Sequence, residues 1–192
     1  MIKICISGKA KSGKDTLSLF LQNNLKLNKE DIKSNSFAAP MKEIISIMFP
    51  QANKENLYGE SSFREDVIAN DLIDKEGNQL TYRKALTDLG AFARSYNENV
   101  WINCLNSDFQ KLKYKKAYFI SDLRFKNEFI WAKNNGFVTI RIRRADSLKS
   151  SCVSEMEQDE IADNQFDFVI KNNKSLDHLN EKAIEIIKQL NE

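Results

Sequence analysis

Gly8-Lys9-Ala10-Lys11-Ser12-Gly13-Lys14-Asp15-Thr16 is the stretch from which the architecture of this chain can be read. Its spacing, G-x-x-x-x-G-K, is that of a phosphate-binding loop. Glycines let backbone N–H groups turn inward around a polyphosphate, and a helix starting near Lys14 points its positive end at the same anion. The motif needs a strand before it and a helix after it. Ile2–Ser7 is a short, continuously apolar run, the pattern of a buried parallel strand. Leu17, Leu21 and Leu25 recur at i, i+4 and i+8 with Phe20 beside them, one face of a helix over 16–25. Asp15 stands where the common loop has Ser or Thr, and Thr16 follows. An aspartate beside a polyphosphate is repelled unless a cation lies between them or it points away. Thr16 can supply the missing hydroxyl.

Working outward, strands are expected at 32–39, 117–121, 137–142 and 166–170, and helices from Pro40 to about Phe49 and over 63–72, 82–96, 100–112, 125–135 and 176–190. Residues 51–62 read as a loop, 74–78 as a turn, and Gly136 as a helix stop. Strands alternate with helices from end to end. This predicts an α/β fold, a P-loop three-layer sandwich with a mostly parallel sheet of about five strands and helices on both faces. One domain over 1–192 is expected, with a helix-rich region at 40–112 over the carboxyl ends of the strands and a polar lid at 144–165.

Composition narrows the functions. The 29 Lys+Arg and 27 Asp+Glu leave a formal charge of +2, too balanced to coat a nucleic-acid polymer. The 42% apolar content argues against disorder. No apolar run approaches the roughly 20 residues of a membrane span, and the N-terminus reads as a strand, not a signal peptide. Cys5, Cys104 and Cys152 are odd in number and far apart, neither a disulfide framework nor a zinc site. The chain reads as cytoplasmic. It carries 22 Lys and only 7 Arg, so the arginines are weighted toward places that want a rigid fork.

Asp122 and Arg124 sit where a strand gives way to a helix. Asp122 can hold a water on Mg²⁺, position a substrate hydroxyl, or simply cap the helix. Arg124 can clamp a phosphate. Arg141 and Arg143 should share a strand face, and Arg144 at the loop is the candidate for transition-state charge, against a solvated strand end. Arg83 and Arg94 lie eleven residues apart on one helix face, as ligands or as surface charge. Asn28-Lys29-Glu30-Asp31 mimics a base-reading motif but falls after the first helix, where a solvated turn is expected. His178 lies far from every motif. Its distance costs little if the acceptor is a phosphate, which is already ionised at neutral pH.

Several ordered segments resemble phage-type deoxynucleoside monophosphate kinases. The loop itself, with Asp after the lysine, is similar to theirs. So are Ser36-Phe37-Ala38-Ala39-Pro40-Met41-Lys42, Arg83 to Gly90 with Trp101 beyond, Ser121-Asp122-Leu123-Arg124-Phe125-Lys126-Asn127-Glu128, Ser154-Glu155, and Phe166 to Asn172 with Ser175-Leu176. Two positions depart: Ala91 stands where the family often has Thr, and Cys152-Val153 precede Ser154 where it often has His. The resemblance implies transfer of a phosphoryl group from ATP to a dNMP with Mg²⁺, in a soluble enzyme, in the host cytoplasm if phage-encoded. It implies no polymer or membrane partner and allows a homodimer. Gly8, Lys11, Ser12, Gly13, Lys14, Asp15 and Thr16 would hold the ATP phosphates, with Arg144 and Asn172 near the rest of ATP. Lys14, Asp15 and Arg124 would be catalytic. Lys9, Phe37, Lys42, Arg83, Trp101, Asp122, Arg124, Glu128 and Glu155 would meet the acceptor, and Asp15 and Thr16 the metal. The runner-up resemblance is animal-type phosphomevalonate kinase, similar in the loop, in Phe63-Arg64-Glu65-Asp66-Val67-Ile68 and in the tail. A nucleotide-dependent switch protein is disfavoured by the misplaced base-reading motif.

Overall fold

The computed structural model describes residues 1–112, 114–145 and 156–191. By backbone contacts the chain divides into two compact units. One joins Met1–Phe37 to Asn106–Glu192, and the other is Ala38–Leu105.

The first unit is built on β1 (Ile2–Ser7), whose run from Ile4 to Ser7 is buried throughout. A strand apolar on both faces belongs in the middle of a sheet. β1 pairs in parallel with β3 (Ala117–Leu123) on one side and β4 (Val138–Arg143) on the other. β2 (Ile32–Asn35) adds to β3 and β5 (Phe168–Lys171) to β4, so the order is β2-β3-β1-β4-β5, all parallel. α1 (Lys14–Asn24) and α7 (Leu176–Asn191) pack on each other. Leu17 and Leu21 of α1 and Leu179, Ala183 and Ile186 of α7 meet Ile4, Ile6, Ile140 and Ile142 of the sheet in one apolar cluster. Tyr118 of β3, Trp131 of α6 (Lys126–Asn134), Phe37, Phe109 and Phe137 form an aromatic cluster with ring centroids 5.3–5.9 Å apart. Burial of these faces, not helix propensity, holds the layers together.

The β1–β3 register slips near the carboxyl end. Cys5 lies opposite Ile120, but Ser7 lies opposite Leu123, so β3 carries one residue more than β1 across Ser121-Asp122. Such a bulge re-aims side chains where the strand leaves the sheet.

The second unit contains α2 (Ala39–Met48), α3 (Lys54–Tyr58), α4 (Tyr82–Tyr96) and the start of α5 (Val100–Gln110). Ile45, Leu57, Ile68, Tyr82 and Ala85 form its core. Pro40 lies in the first turn of α2, where its missing N–H costs nothing. Thr81 caps α4 by accepting from the Lys84 amide at 3.1 Å.

Three local expectations are corrected. The 51–62 loop holds α3, started by Asn53, whose side chain accepts from the Glu55 amide at 2.8 Å. The expected 63–72 helix is only a 3-10 turn, Ser61–Glu65. Beyond it Val67 and Thr81, and Ile73 and Gln79, pair as isolated antiparallel bridges. The 74–78 turn explains this. The Asp74 carboxylate accepts from the Glu76 and Asn78 amides, both at 2.9 Å, and Gly77 supplies φ +86°. Together they fold the chain back on 67–73. Finally, β2 stops at Asn35, whose side chain takes the Ser36 amide at 2.9 Å. Asn28 to Asp31 form a short turn after α1, as the solvated reading expected.

Candidate phosphate-binding site

The loop between β1 and α1 is shaped by positions that only certain residues can fill. A Cβ on Gly8 would lie 2.6 Å from the Ile142 carbonyl oxygen and 2.6 Å from Ser12 Oγ. Gly13 has φ +99°, and a Cβ there would sit 2.5 Å from Asn172 Nδ2. Lys11 holds φ +60° with a side chain present, a strained conformation that costs about 1–2 kcal/mol. Gly13 is also the N-cap of α1 and gives the first turn of the helix no side-chain cap. Buried Ser12 Oγ and Ser7 Oγ have no hydrogen-bond partner. Orphaned buried hydroxyls at a helix N-terminus suit an anion or ordered water.

The side chains of the loop are drawn into internal contacts. Lys14 Nζ donates to the Lys9 carbonyl at 2.8 Å. Lys9 Nζ pairs with Asp159 Oδ2 at 2.7 Å. Lys11 is exposed. Asp15 Oδ1 accepts from Ser121 Oγ at 2.9 Å, tying the loop to the β3 bulge. Asn172, expected beside the adenine, donates from Nδ2 to the Ser12 carbonyl at 2.9 Å and so buttresses the loop from the end of β5. Thr16 is half-buried in the first turn of α1.

Asp122 is not the helix cap. Phe125 is the N-cap of α6, and the Glu128 carboxylate takes the amides of Arg124 and Phe125 at 2.8 and 3.1 Å. Asp122 Oδ1 instead accepts from the Phe37 amide at 3.0 Å. Glu128 is buried in this capping role, and Arg124 is half-buried. Phe37 is buried edge-on against Trp131, with centroids 5.8 Å apart.

In the second unit Lys42 Nζ lies 5.0 Å over the Tyr58 ring, and Arg83 pairs with Glu65. Trp101 is buried and its Nε1 donates to the Gly90 carbonyl at 3.3 Å. Phe37 and Trp101 thus sit as packed aromatics, each within its own unit. Glu155 and residues 146–155 of the expected lid lie outside the described residues.

A cavity of about 440 Å³ opens beside the loop, lined by Gly8, Lys9, the strand end from Arg141 to Ala145, Gln158, Asp159, Lys171 and Asn173. Five cationic side chains and one carboxylate face it. Arg141 and Arg143 share a face, as alternation requires. Both approach Asp163: Arg143 by Nη2 at 2.8 Å, Arg141 by Nη1 at 3.6 Å. Arg141 was not expected to be buried, yet it is 3% exposed, with its guanidinium 4.3 Å over Phe166 and Nη2 donating to the Gln158 carbonyl at 2.8 Å. Burial lowers its pKa, Arg143 lowers it further, and Asp163 and Asp159 oppose the shift. Arg144 is exposed at the cavity rim.

The contacts through Ser121, Gln158 and Asp159 were missed from sequence. Ser121 stood beside a motif, but Asp159 sits 150 residues from its partner with no local signal. Among the described residues no group of three or more His, Cys, Asp or Glu could hold a metal on its own. No helix of the described residues is long and apolar enough to cross a membrane.

No protein-family model matches the chain, and no curated protein matches it in sequence. Its fold is similar to that of a solved dephospho-CoA kinase from Campylobacter jejuni. The TM-score is 0.50 and the identity 18%, over 97% of this chain and 96% of that one. With the five-stranded parallel sheet, that likeness places the chain in the P-loop α/β sandwich fold.

Proposed function

We propose that this protein is a P-loop small-molecule kinase that transfers the γ-phosphoryl group of ATP to a deoxynucleoside monophosphate, giving ADP and a dNDP. The observation that carries the reading is the loop of residues 8–16, with Gly8 required by close packing, Gly13 by its positive φ, and α1 starting on a glycine N-cap. The resemblance of the flanking segments supplies the acceptor class.

Phosphoryl transfer is mostly positioning and charge stabilisation. The loop amides hold the triphosphate. Lys14 leaves the Lys9 carbonyl for a phosphate oxygen, and Lys11 adds positive charge. Arg144, at the cavity rim, can follow the charge of the transferring group. Arg124, whose backbone amide donates to Glu128, would grip an acceptor phosphate by two parallel hydrogen bonds. The resemblance assigns Lys42 and Arg83 to the acceptor as well. A phosphate acceptor needs no general base, so His178, on α7 beside Glu181, has no part in the step.

Mg²⁺ fits this site in its usual manner. It binds through one or two protein oxygens plus phosphates and water, and the Asp15 carboxylate and Thr16 hydroxyl are the hard donors available. When bound it would neutralise charge on the phosphates. Ser121 holds the Asp15 carboxylate at the β3 bulge.

An ADP-release assay over dNMPs, NMPs, phosphomevalonate and dephospho-CoA tests the assignment. Turnover highest with a dNMP is expected. Preference for either of the last two compounds would transfer the protein to another acceptor class, and no ADP release with any of them would remove the kinase reading.

A further inference from the structure

Lys9 lies inside the phosphate loop, yet its ammonium is held by a carboxylate 150 residues away, at 2.7 Å. Asp159 belongs to the short acidic turn Glu157–Glu160. That turn is fixed from beneath. Gln158 is 2% exposed and its carbonyl is held by the buried Arg141 guanidinium, while Ile161 is 1% exposed. Two buried neighbours therefore set where the Asp159 carboxylate can lie. The pair itself is open, with side chains 29% and 48% exposed. The cationic cavity, lined by Gly8, Arg143 and Arg144 among others, runs alongside it. A polyphosphate has access to Lys9 from that side.

We propose that Asp159 is the resident counter-ion of the phosphate loop: it holds Lys9 in the empty protein and is exchanged for a phosphate oxygen when a polyphosphate binds, so that the acidic turn sets the affinity of the loop. This rests on the phosphate-loop reading above. An ion pair this exposed is weak, which makes the exchange easy, and its loss should change affinity by roughly two- to fivefold. It is also screened by salt, so the effect is largest at low ionic strength.

The test uses inorganic tripolyphosphate and calorimetry on the full chain at low ionic strength. D159N is expected to bind roughly two- to fivefold more tightly than the parent. K9A is expected to bind more weakly, and D159N added to K9A to change nothing further. E160Q, on the same turn but without the Lys9 contact, reports the general effect of removing a negative charge. Equal tightening in D159N and E160Q, or full tightening by D159N in the K9A background, would overturn the counter-ion role while leaving the loop intact. No binding by any of the proteins, the parent included, would overturn the phosphate-loop reading and this inference together.

Discussion

The β1–loop–α1 segment and the Ala38–Leu105 unit obey different rules. In the first, neighbours more than a hundred residues away in sequence dictate the residue. Gly8 is glycine because the Ile142 carbonyl of β4 leaves no room, and Gly13 because of its positive φ and the Asn172 amide. In the second, short-range polar groups shape the chain: Asn53 and Thr81 cap helices, and Asp74 closes a turn on the amides two and four residues ahead. One region is specified by tertiary packing around a loop, the other by local hydrogen bonding around a small core. The contrast shows that motif density is not structural simplicity. The residues richest in chemical signal depend most on distant parts of the chain.

The largest expected effect comes from the loop. Lys14→Ala should lower turnover by about a thousandfold or more, because electrostatic stabilisation dominates this chemistry. Its melting temperature should stay close to the parent's, since the side chain serves as a charge and not as packing. Normal turnover by the folded variant would break the distinction between chemical and structural residues in this segment.

Paired glycine substitutions sharpen it further. Gly8→Ala forces a Cβ into backbone and should cost about 2–3 kcal/mol of stability in chemical denaturation. Gly77→Ala, in the second unit, meets nothing within 4 Å and has only its φ of +86° to resist it, so about 1 kcal/mol is expected. Equal costs would mean that crowding at the loop has been overstated.

The smallest effect separates two carboxylates. Burial raises the Asp167 pKa, but the Lys133 ammonium and the Thr139 amide and hydroxyl outweigh it and hold the group below its usual value. Asp74, half-buried in its turn, is likewise lowered, first by the Asn78 amide. A depressed folded-state pKa contributes stability above the unfolded value, near 3.9, and that contribution is lost as pH falls through the folded value. Asp167→Asn should therefore destabilise by about 1 kcal/mol at pH 7, with the difference from the parent shrinking as pH falls below about 4 and vanishing only below the depressed folded-state value. Asp74→Asn should cost less. A gap for Asp167→Asn that does not shrink at all between about pH 5 and about pH 2 would assign the loss to packing.

Much of the fold could be read in advance because period and punctuation agreed. Ile2–Ser7 and Tyr82–Tyr96 fall where the apolar pattern put them. Alternation correctly put Arg141 and Arg143 on one face, but not which of them is buried, because that depends on Phe166 and Gln158 arriving from elsewhere. The site was legible as a loop and not as a set of contacts. A motif aromatic such as Phe37 or Trp101 looks the same in sequence whether it walls a ligand or fills a core. The extra residue of β3 at Ser121-Asp122 left no mark either, since a one-residue slip appears only when two strands are laid side by side. The 63–72 segment failed for a different reason: the local turn chemistry of Asp74 and Gly77 outweighed a weak helical pattern.

The sheet order has a consequence for how the chain is made. β1 touches only β3 and β4, and β2 only β3, so no strand of the sheet has a neighbour until residue 117 has been synthesised. At a ribosomal pace of about 5–20 residues per second, the central strand waits some seconds for its first partner, while the contiguous Ala38–Leu105 stretch emerges complete in the interval. Birth order and architectural order are thus inverted: the central strand of the sheet is translated before the four others and waits to be enclosed by them.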